Sequence, residues 1–300
     1  MDRRDFVKKV LWAGAATLLP VGWDTLAGAL HAGTIPDIVM ARGPSPGAII
    51  RAAVDGLGGM GRFVSRGDVV VIKPNIGWDR TPEYGANTNP EVTAALVRLC
   101  FDAGAKTVKV FDYPVADPRR TYKQSGIADA CRSLGAQVSF VDERKFKDVT
   151  LKGQVLKSWP LYTEALECDK LINVPVAKTH GIARLTLGMK NWMGIMGGSR
   201  GRIHQRVDEC LVDVALHVRP ALVVVDAVRI LVSNGPQGGS LSDVRRIDTV
   251  IAGTDQVAVD ACATTLFDMK PDALPCVRIG QERGLGRMAL GSRVQVVKVP

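Results

Sequence analysis

The sequence predicts an α/β protein with mostly parallel sheets and crossover helices, built as two intertwined halves. Strand-like apolar runs alternate with helix-like patterns along the chain, which is typical of parallel strands joined by helices. The clearest unit is a strand over 68–75, a helix over 90–103 and a strand over 106–112. Asn89 predicts the start of the helix, because asparagine before proline suits the cap and first turn.

The same alternation continues through the rest of the chain. Beyond the first unit, we expect a helix over 126–134, a strand over 137–141, an exposed hairpin over 145–158, strands over 170–175, 221–227 and 249–253, and a helix over 257–267. A boundary between residues 145 and 165 would divide the chain into halves 31–150 and 151–300.

Residues 1–30 carry the order of an export signal. Arg3 and Arg4 precede an apolar run over 10–22 and a small-residue cleavage site. This segment resembles a twin-arginine signal peptide, which implies export of the folded protein to the periplasm and a mature chain beginning near Leu30. The run is shorter than the roughly 20 residues of a spanning helix, so we expect only transient membrane contact. An uncut signal acting as an anchor is the alternative.

Composition favours an anionic partner. The formal net charge of the 300 residues is +9, while the basic residues are spread along the chain and are not interleaved with aromatics. That distribution argues against nucleic acid and for a small anionic ligand or an acidic partner protein. No pattern specifies an oligomeric state.

The cysteines are isolated from one another. None forms a C-x-x-C pair, so the sequence carries no iron–sulfur cluster motif, while a metal or organic cofactor stays open. Folding before export would keep thiols reduced, so we expect six free cysteines. They are Cys100, Cys131, Cys168, Cys210, Cys262 and Cys276.

Polar residues follow several predicted strands, and ligands of parallel sheets gather at the carboxyl ends of strands. An amide-rich run over 85–91 also precedes a helix, where free backbone N–H groups attract anions. Turn capping is the alternative for each residue. The candidate anion- or cofactor-binding residues are Lys73, Asn75, Asn87, Thr88, Asn89, Asn191 and Asp226.

Two histidines are the candidate catalytic centre. His180 and His204 flank glycine-rich sequence, and imidazole serves near neutral pH as an acid–base catalyst or as a metal ligand. Neither has a partner at i+4, so no zinc motif is met, and both roles stay open beside a structural one. Lys178 and Lys190 would neutralise charge on the ligand. We expect all four to share one cleft with Lys73.

The basic loop over 197–202 follows this region. Its glycines allow movement, and Arg200 and Arg202 would close on a bound anion. An exposed surface turn is the alternative.

A set of short segments lies in a fixed order along the chain: 71–75, 87–91, 171–175, 178–180, 189–191, residue 204, 234–239 and 258–260. In this order they resemble the family catalogued as domain of unknown function 362. The resemblance covers roughly residues 36–286.

The resemblance to this family leaves the chemistry of the protein open. Many relatives carry a ferredoxin-like module, whose cysteines this sequence lacks, and the strand and Thr/Asn-rich loop are similar to part of the nickel-pincer lactate racemases. The expectation is an enzyme of redox or racemase type that binds a small anionic ligand or cofactor between its halves. The alternative is a non-catalytic periplasmic accessory or maturation factor for a redox complex.

Overall fold

The computed structural model describes residues 35–290 and 294–300. The predicted signal peptide over 1–30 therefore lies outside the described residues. Within them, every helix falls short of the length and apolarity that a bilayer-crossing segment requires.

A ten-stranded sheet forms the centre of the described part of the molecule. The strands of the chain are β1 (Ile38–Arg42), β2 (Val69–Pro74), β3 (Thr107–Val110), β4 (Gln137–Val138), β5 (Phe146–Thr150), β6 (Ser158–Tyr162), β7 (Lys170–Val174), β8 (Val176–His180), β9 (Arg184–Thr186), β10 (Leu222–Leu231), β11 (Val244–Gly253) and β12 (Val294–Lys298). The sheet has the order β12-β1-β11-β10-β7-β2-β3-β4, with β8 paired to β10 and β9 paired to β8. A separate antiparallel hairpin contains β5 and β6.

The helices cover both faces of this sheet. They are α1 (Pro46–Gly56), α2 (Pro90–Asp102), α3 (Pro118–Gln124), α4 (Ile127–Arg132), α5 (Thr163–Leu166), α6 (Gly188–Asn191), α7 (Val207–His217), α8 (Gln256–Thr264) and α9 (Pro275–Glu282). Short 3-10 segments include Arg200–Arg206.

The predicted fold class is confirmed. β2 pairs in parallel with both β3 and β7, and β7 pairs in parallel with β10. β2 is an almost continuous buried apolar run, as expected of a strand covered on both faces. The crossover helix α2 begins where the sequence predicted, because the Asn89 side chain accepts from the Glu91 N–H and Pro90 occupies the first turn.

The sheet draws strands from both predicted halves. β1 lies between β11 and β12, and the boundary between residues 150 and 151 falls inside the β5–β6 hairpin. The predicted hairpin over 145–158 covers β5 and the turn, while β6 extends beyond it. The division of the chain into two halves stays a prediction.

Two apolar layers sandwich the sheet. Alternate residues of β10 enter opposite layers: Val223 and Val225 pack beneath α7, α8 and α9, whereas Leu222 and Val224 pack beneath α1, α2 and α4. Burial on both faces fixes the register of the central strands, because a one-residue slip would exchange the two layers. The polar ends of these strands are therefore held at defined positions.

All six cysteines are free thiols in the structure, as predicted. Five are buried and Cys168 is partly buried. Burial raises the pKa of the Cys100 thiol to about 12, so the thiol is unreactive at neutral pH.

Candidate functional site

A buried ion pair marks the carboxyl end of the central strand. Lys73 leaves β2 fully buried, and its Nζ lies 2.7 Å from Oδ1 of Asp112. The same Nζ donates to the Pro74 carbonyl at 2.9 Å and to Oδ1 of Asn191 at 3.0 Å. Burial lowers the pKa of Lys73, although Asp112 opposes that shift. Because three acceptors already surround this ammonium, Lys73 forms the floor of the site and does not match the anion-gripping role expected of it.

Gly194 packs directly against this pair. A Cβ at residue 194 would overlap both the Asp112 carboxylate and the Lys73 ammonium, so only glycine fits. The other carboxylate oxygen, Oδ2 of Asp112, accepts from the Ile76 N–H at 2.6 Å. The loops after β2 and β3 are thereby joined at one edge of the sheet.

Lys178 is a buried ammonium without a carboxylate contact. It lies in β8, and its Nζ donates to Oδ1 of Asn75 at 3.1 Å and to the Ala86 carbonyl. Burial lowers the pKa of Lys178 to about 7, and the charge of Lys190 is the second-largest cause of this shift. Among the described residues it forms no ion pair. A substantial part of this amine is therefore neutral at physiological pH.

The ammonium of Lys190 has a weaker hydrogen-bond acceptor than that of Lys178. Its Nζ contacts Sδ of Met193 at 2.9 Å, and a thioether is a poor acceptor for an ammonium. Burial lowers the pKa of Lys190 to about 8, and the charge of Arg200 is the second-largest cause of this shift. The described residues give Lys190 no ion pair either. This side chain has unused hydrogen-bonding capacity.

Asp260 holds the short helix that carries Lys190. The Asp260 oxygens accept from the N–H groups of Gly188 at 2.7 Å and Met189 at 2.9 Å, at the start of α6. Burial raises the pKa of Asp260 to about 7, against the effect of the two donors. The carboxylate therefore fixes α6 from beneath.

The two candidate histidines lie next to each other. The rings of His180 and His204 stack with their centroids 5.7 Å apart and their planes inclined by 12°. Burial lowers the pKa of His180 to about 3, and the charge of Lys190 is the second-largest cause of this shift. Burial also lowers the pKa of His204. The structure thus brings together His180, His204 and the two lysines, which we call the lysine–histidine cluster.

Hydrogen bonds assign opposite tautomers to the two rings. Nδ1 of His180 accepts from the N–H groups of Ile182 at 3.1 Å and Ala183 at 3.2 Å, so the ring proton resides on Nε2. Nδ1 of His204 lies 3.0 Å from the Gly201 carbonyl, which can only accept. The proton of His204 therefore resides on Nδ1, and its Nε2 keeps a lone pair. One ring offers a donor and its neighbour offers an acceptor.

The expected metal-ligand role does not fit this arrangement. A histidine ligand normally donates its other ring N–H, whereas His180 accepts at Nδ1 and carries a proton at Nε2. Within residues 35–290 and 294–300, no three His, Cys, Asp or Glu side chains gather in a geometry for a metal ion. Only His204 of the pair offers a ring lone pair.

Asn191 is a structural junction. Its Oδ1 accepts from Nζ of Lys73 and from Nδ2 of Asn75, and its Nδ2 donates to the Lys73 carbonyl and to Oδ1 of Asn173 at 2.8 Å. The side chain joins β2, β7 and α6. Asn75 in turn contacts both Lys178 and Asn191, so it positions the lysine.

The remaining predicted binding residues hold the loop after β2. Asn87 bonds the backbone of Trp78 and Arg80. Thr88 donates to the Val174 carbonyl, and Asp226 accepts from the Asn89 N–H at 2.6 Å. These side chains, including the Asn89 cap, are engaged with backbone groups. They shape the site and present few free groups to a ligand.

Arg200 is likewise used within the protein. Its guanidinium donates to the carbonyls of Tyr113, Pro114 and Met193, and lies 4.4 Å above the Tyr113 ring. Three of the five N–H donors of Arg200 bind these carbonyls, so Arg200 stabilises its own loop, and its closure on an anion stays a prediction. It ties the loop that carries His204 to the loop after β3. Arg202 is exposed.

Sequence reasoning missed Asp260 as a support of the site, although it lies in the matching segment 258–260. It also missed Thr186, which lies opposite Lys178 in the β8–β9 pair and whose buried hydroxyl makes no hydrogen bond among the described residues. A threonine in a short strand carries no signal in the sequence alone.

Residues 70–265 match the family described as Domain of unknown function (DUF362). The chain belongs to this family. The chain is also similar to a thylakoid-associated protein of Synechocystis sp. The two are 29% identical over 250 residues, which cover 81% of this chain and 76% of the relative.

Two solved structures match part of this chain. The lactate racemase apoprotein from Thermoanaerobacterium thermosaccharolyticum gives a TM-score of 0.44 at 13% identity, covering 72% of this chain and 54% of that one. A protein from Thermotoga maritima gives 0.43 at 11% identity, with 76% and 60% covered. The chain therefore spans little more than half the length of these structures.

Proposed function

We propose that this protein is an exported enzyme that binds a small anion at the lysine–histidine cluster and transfers a proton on it. The observation that carries the proposal is the opposite tautomers of His180 and His204, which place a donor beside an acceptor. Both rings are partly exposed, while the lysines beneath them are buried. A ligand entering past the rings would meet the two ammonium groups.

The lysines supply the attraction for an anion. Neither Lys178 nor Lys190 has an ion-pair partner among the described residues, and their proximity lowers the pKa of Lys178. A buried charge without a partner is unfavourable, and an anion between the two groups would offset that cost. Binding would also raise both pKa values, so the protein should take up protons as it binds.

Titration calorimetry with oxalate and with inorganic phosphate tests the binding step. At pH 8, the apparent enthalpy should differ between buffers of different ionisation enthalpy, because protons are taken up. Lys190→Met should weaken binding on the order of tenfold or more, the loss expected for a charged hydrogen bond. Lys152→Met, an exposed control, should bind like the wild type. Equal affinity in both variants would contradict the proposed site.

The histidines supply the proton transfer. Nε2 of His204 would take a proton from the carbon next to a carboxylate, and the negative charge left on the ligand would be stabilised by Lys190 and by the Nε2–H of His180. The His204 imidazolium would exchange its proton with solvent and return one to the same carbon, which restores the neutral ring. Because its pKa is lowered, His204 is neutral at pH 7 and can act as a base. Of the redox and racemase types, the racemase type is the one that these side chains support by themselves.

Hydrogen exchange tests this step. Chiral 2-hydroxy and 2-amino carboxylates are incubated with the protein in D₂O, and NMR follows loss of the Cα–H signal. We expect exchange with at least one substrate, and loss of that exchange in His204→Gln. His217→Gln changes an exposed histidine at the end of α7 and serves as the control. Exchange that persists in His204→Gln would overturn the assigned base.

A second candidate is a non-catalytic accessory or maturation factor for a redox complex. The net charge of +9 favours it, and so does the similarity to the thylakoid-associated protein of Synechocystis sp.. Affinity purification from the native host at low salt separates the two candidates. Co-purification with a redox complex, without exchange activity, would favour the accessory role, whereas exchange activity of the purified protein without such a complex would favour the enzyme.

Export through the twin-arginine route belongs to the same proposal. The route reads Arg3 and Arg4 as a pair, whereas general secretion needs only positive charge. Replacing both by lysine should retain the precursor in the cytoplasm. Normal periplasmic accumulation of that double variant would rule the route out.

A further inference from the structure

Thr186 has a buried hydroxyl without a partner. The residue ends β9 and is 4% exposed. Its Oγ1 is one of four buried side-chain polar atoms in the described residues that make no hydrogen bond. Most buried hydroxyls are paired, and an unpaired one destabilises the fold. A valine of almost the same shape would fill this position without that cost.

The register of the sheet places this hydroxyl at the lysine–histidine cluster. Thr186 lies directly opposite Lys178 in the antiparallel β8–β9 pair, and His180 lies opposite Arg184. Directly opposed residues share a face of the sheet, with Cβ atoms about 4.5–5.5 Å apart. Lys178 and His180 are two residues apart and share that face as well. Thr186 therefore points to the same side as the proposed anion site.

We propose that Thr186 is a ligand-contacting residue whose hydroxyl donates to an oxygen of the bound anion. The inference rests on the proposed function and adds a neutral donor to its charged groups. Anion oxygens are strong acceptors, and a hydrogen bond to a charged partner is stronger than one between neutral groups. The hydroxyl would be unpaired only in the ligand-free protein. It would favour oxyanions over anions that lack an oxygen at this point.

The test compares two threonine-to-valine substitutions. Thr186→Val removes the unpaired hydroxyl, while the matched control Thr264→Val removes a buried hydroxyl that donates to the Ala261 carbonyl at 2.8 Å. Calorimetry with oxalate and with phosphate gives the affinity, and thermal unfolding of the ligand-free proteins gives Tm. Thr186→Ser retains the hydroxyl and serves as the rescue.

We expect Thr186→Val to weaken oxyanion binding on the order of tenfold while its ligand-free Tm stays equal to or above that of the wild type. Thr264→Val should lower Tm without changing affinity, and Thr186→Ser should bind nearly as the wild type does. Unchanged affinity in Thr186→Val, with or without a lower Tm, would overturn this inference alone. A wild type that binds neither oxalate nor phosphate would overturn the proposed function and this inference together.

Discussion

The rings of His180 and His204 stack 5.7 Å apart with opposite hydrogen-bonding character. His180 accepts two backbone N–H groups at Nδ1 and keeps its proton on Nε2. His204 faces a carbonyl at Nδ1 and keeps its lone pair on Nε2. Two residues of the same type are therefore differentiated by their backbone contacts.

The tautomers should be visible by NMR. Ring ¹⁵N shifts at pH 7 should show the proton on Nε2 in His180 and on Nδ1 in His204. Protonation of His180 should be absent down to about pH 4, because its pKa is lowered to about 3. The same tautomer in both rings, or titration of His180 near its ordinary pKa of 6.5, would contradict the assignment.

The lowered pKa of His180 also makes the free energy of unfolding depend on pH. Between pH 6.5 and about 3, the unfolded chain binds a proton that the folded protein excludes from His180, so the free energy of unfolding falls as pH falls. His180→Asn preserves an acceptor for the backbone N–H groups and removes the titration. Urea unfolding from pH 4 to 8 should show a shallower acid slope in this variant than in His217→Asn.

Lys178 should affect stability on the alkaline side. Its folded pKa is about 7 against an ordinary 10.5, so the unfolded chain binds more protons between these values. The free energy of unfolding should rise with pH across that window and be lowest below pH 7. Calorimetric Tm values from pH 7 to 10 should rise less steeply in Lys178→Met than in Lys152→Met. Identical slopes would show that Lys178 titrates normally.

Asp260 should be needed to hold α6. In Asp260→Asn one oxygen is replaced by an NH₂ group that faces a backbone donor, leaving an N–H of Gly188 or Met189 unpaired. We expect a loss of about 1–3 kcal/mol in the free energy of unfolding. Urea unfolding measures it, with exposed Asp272→Asn as the control. A loss no larger than in the control would mean that α6 is held by other contacts.

Arg200 should hold the loop that carries His204. Arg200→Lys replaces a planar guanidinium, whose two terminal nitrogens reach three carbonyls, with a single ammonium nitrogen, so amide hydrogen exchange over Arg200–Arg206 should become faster. Arg202→Lys changes an exposed neighbour and should leave the exchange unchanged. Similar exchange in both variants would exclude the loop-holding role.

Local sequence patterns predicted part of the frame, including β2, β3, β7 and α2, but not β1, β12 or α1. The apolar run of β2 and the Asn89–Pro90 start of α2 are readable from adjacent residues, because strand patterning and helix capping are local signals. The strand–helix alternation likewise predicted the α/β class. The order of strands, with β1 between β11 and β12, depends on contacts between distant segments and was not predictable.

The sequence by itself determined which residue types are available for chemistry: the histidines, the lysines and the amides that follow the strands. Only the tertiary structure decided their roles. Lys73 is saturated by Asp112 and Asn191, which lie far from it in the chain, whereas among the described residues Lys190 hydrogen-bonds only the thioether of Met193. Hydrogen-bond partners and burial set a side chain's charge and free capacity, and both are properties of the folded neighbourhood.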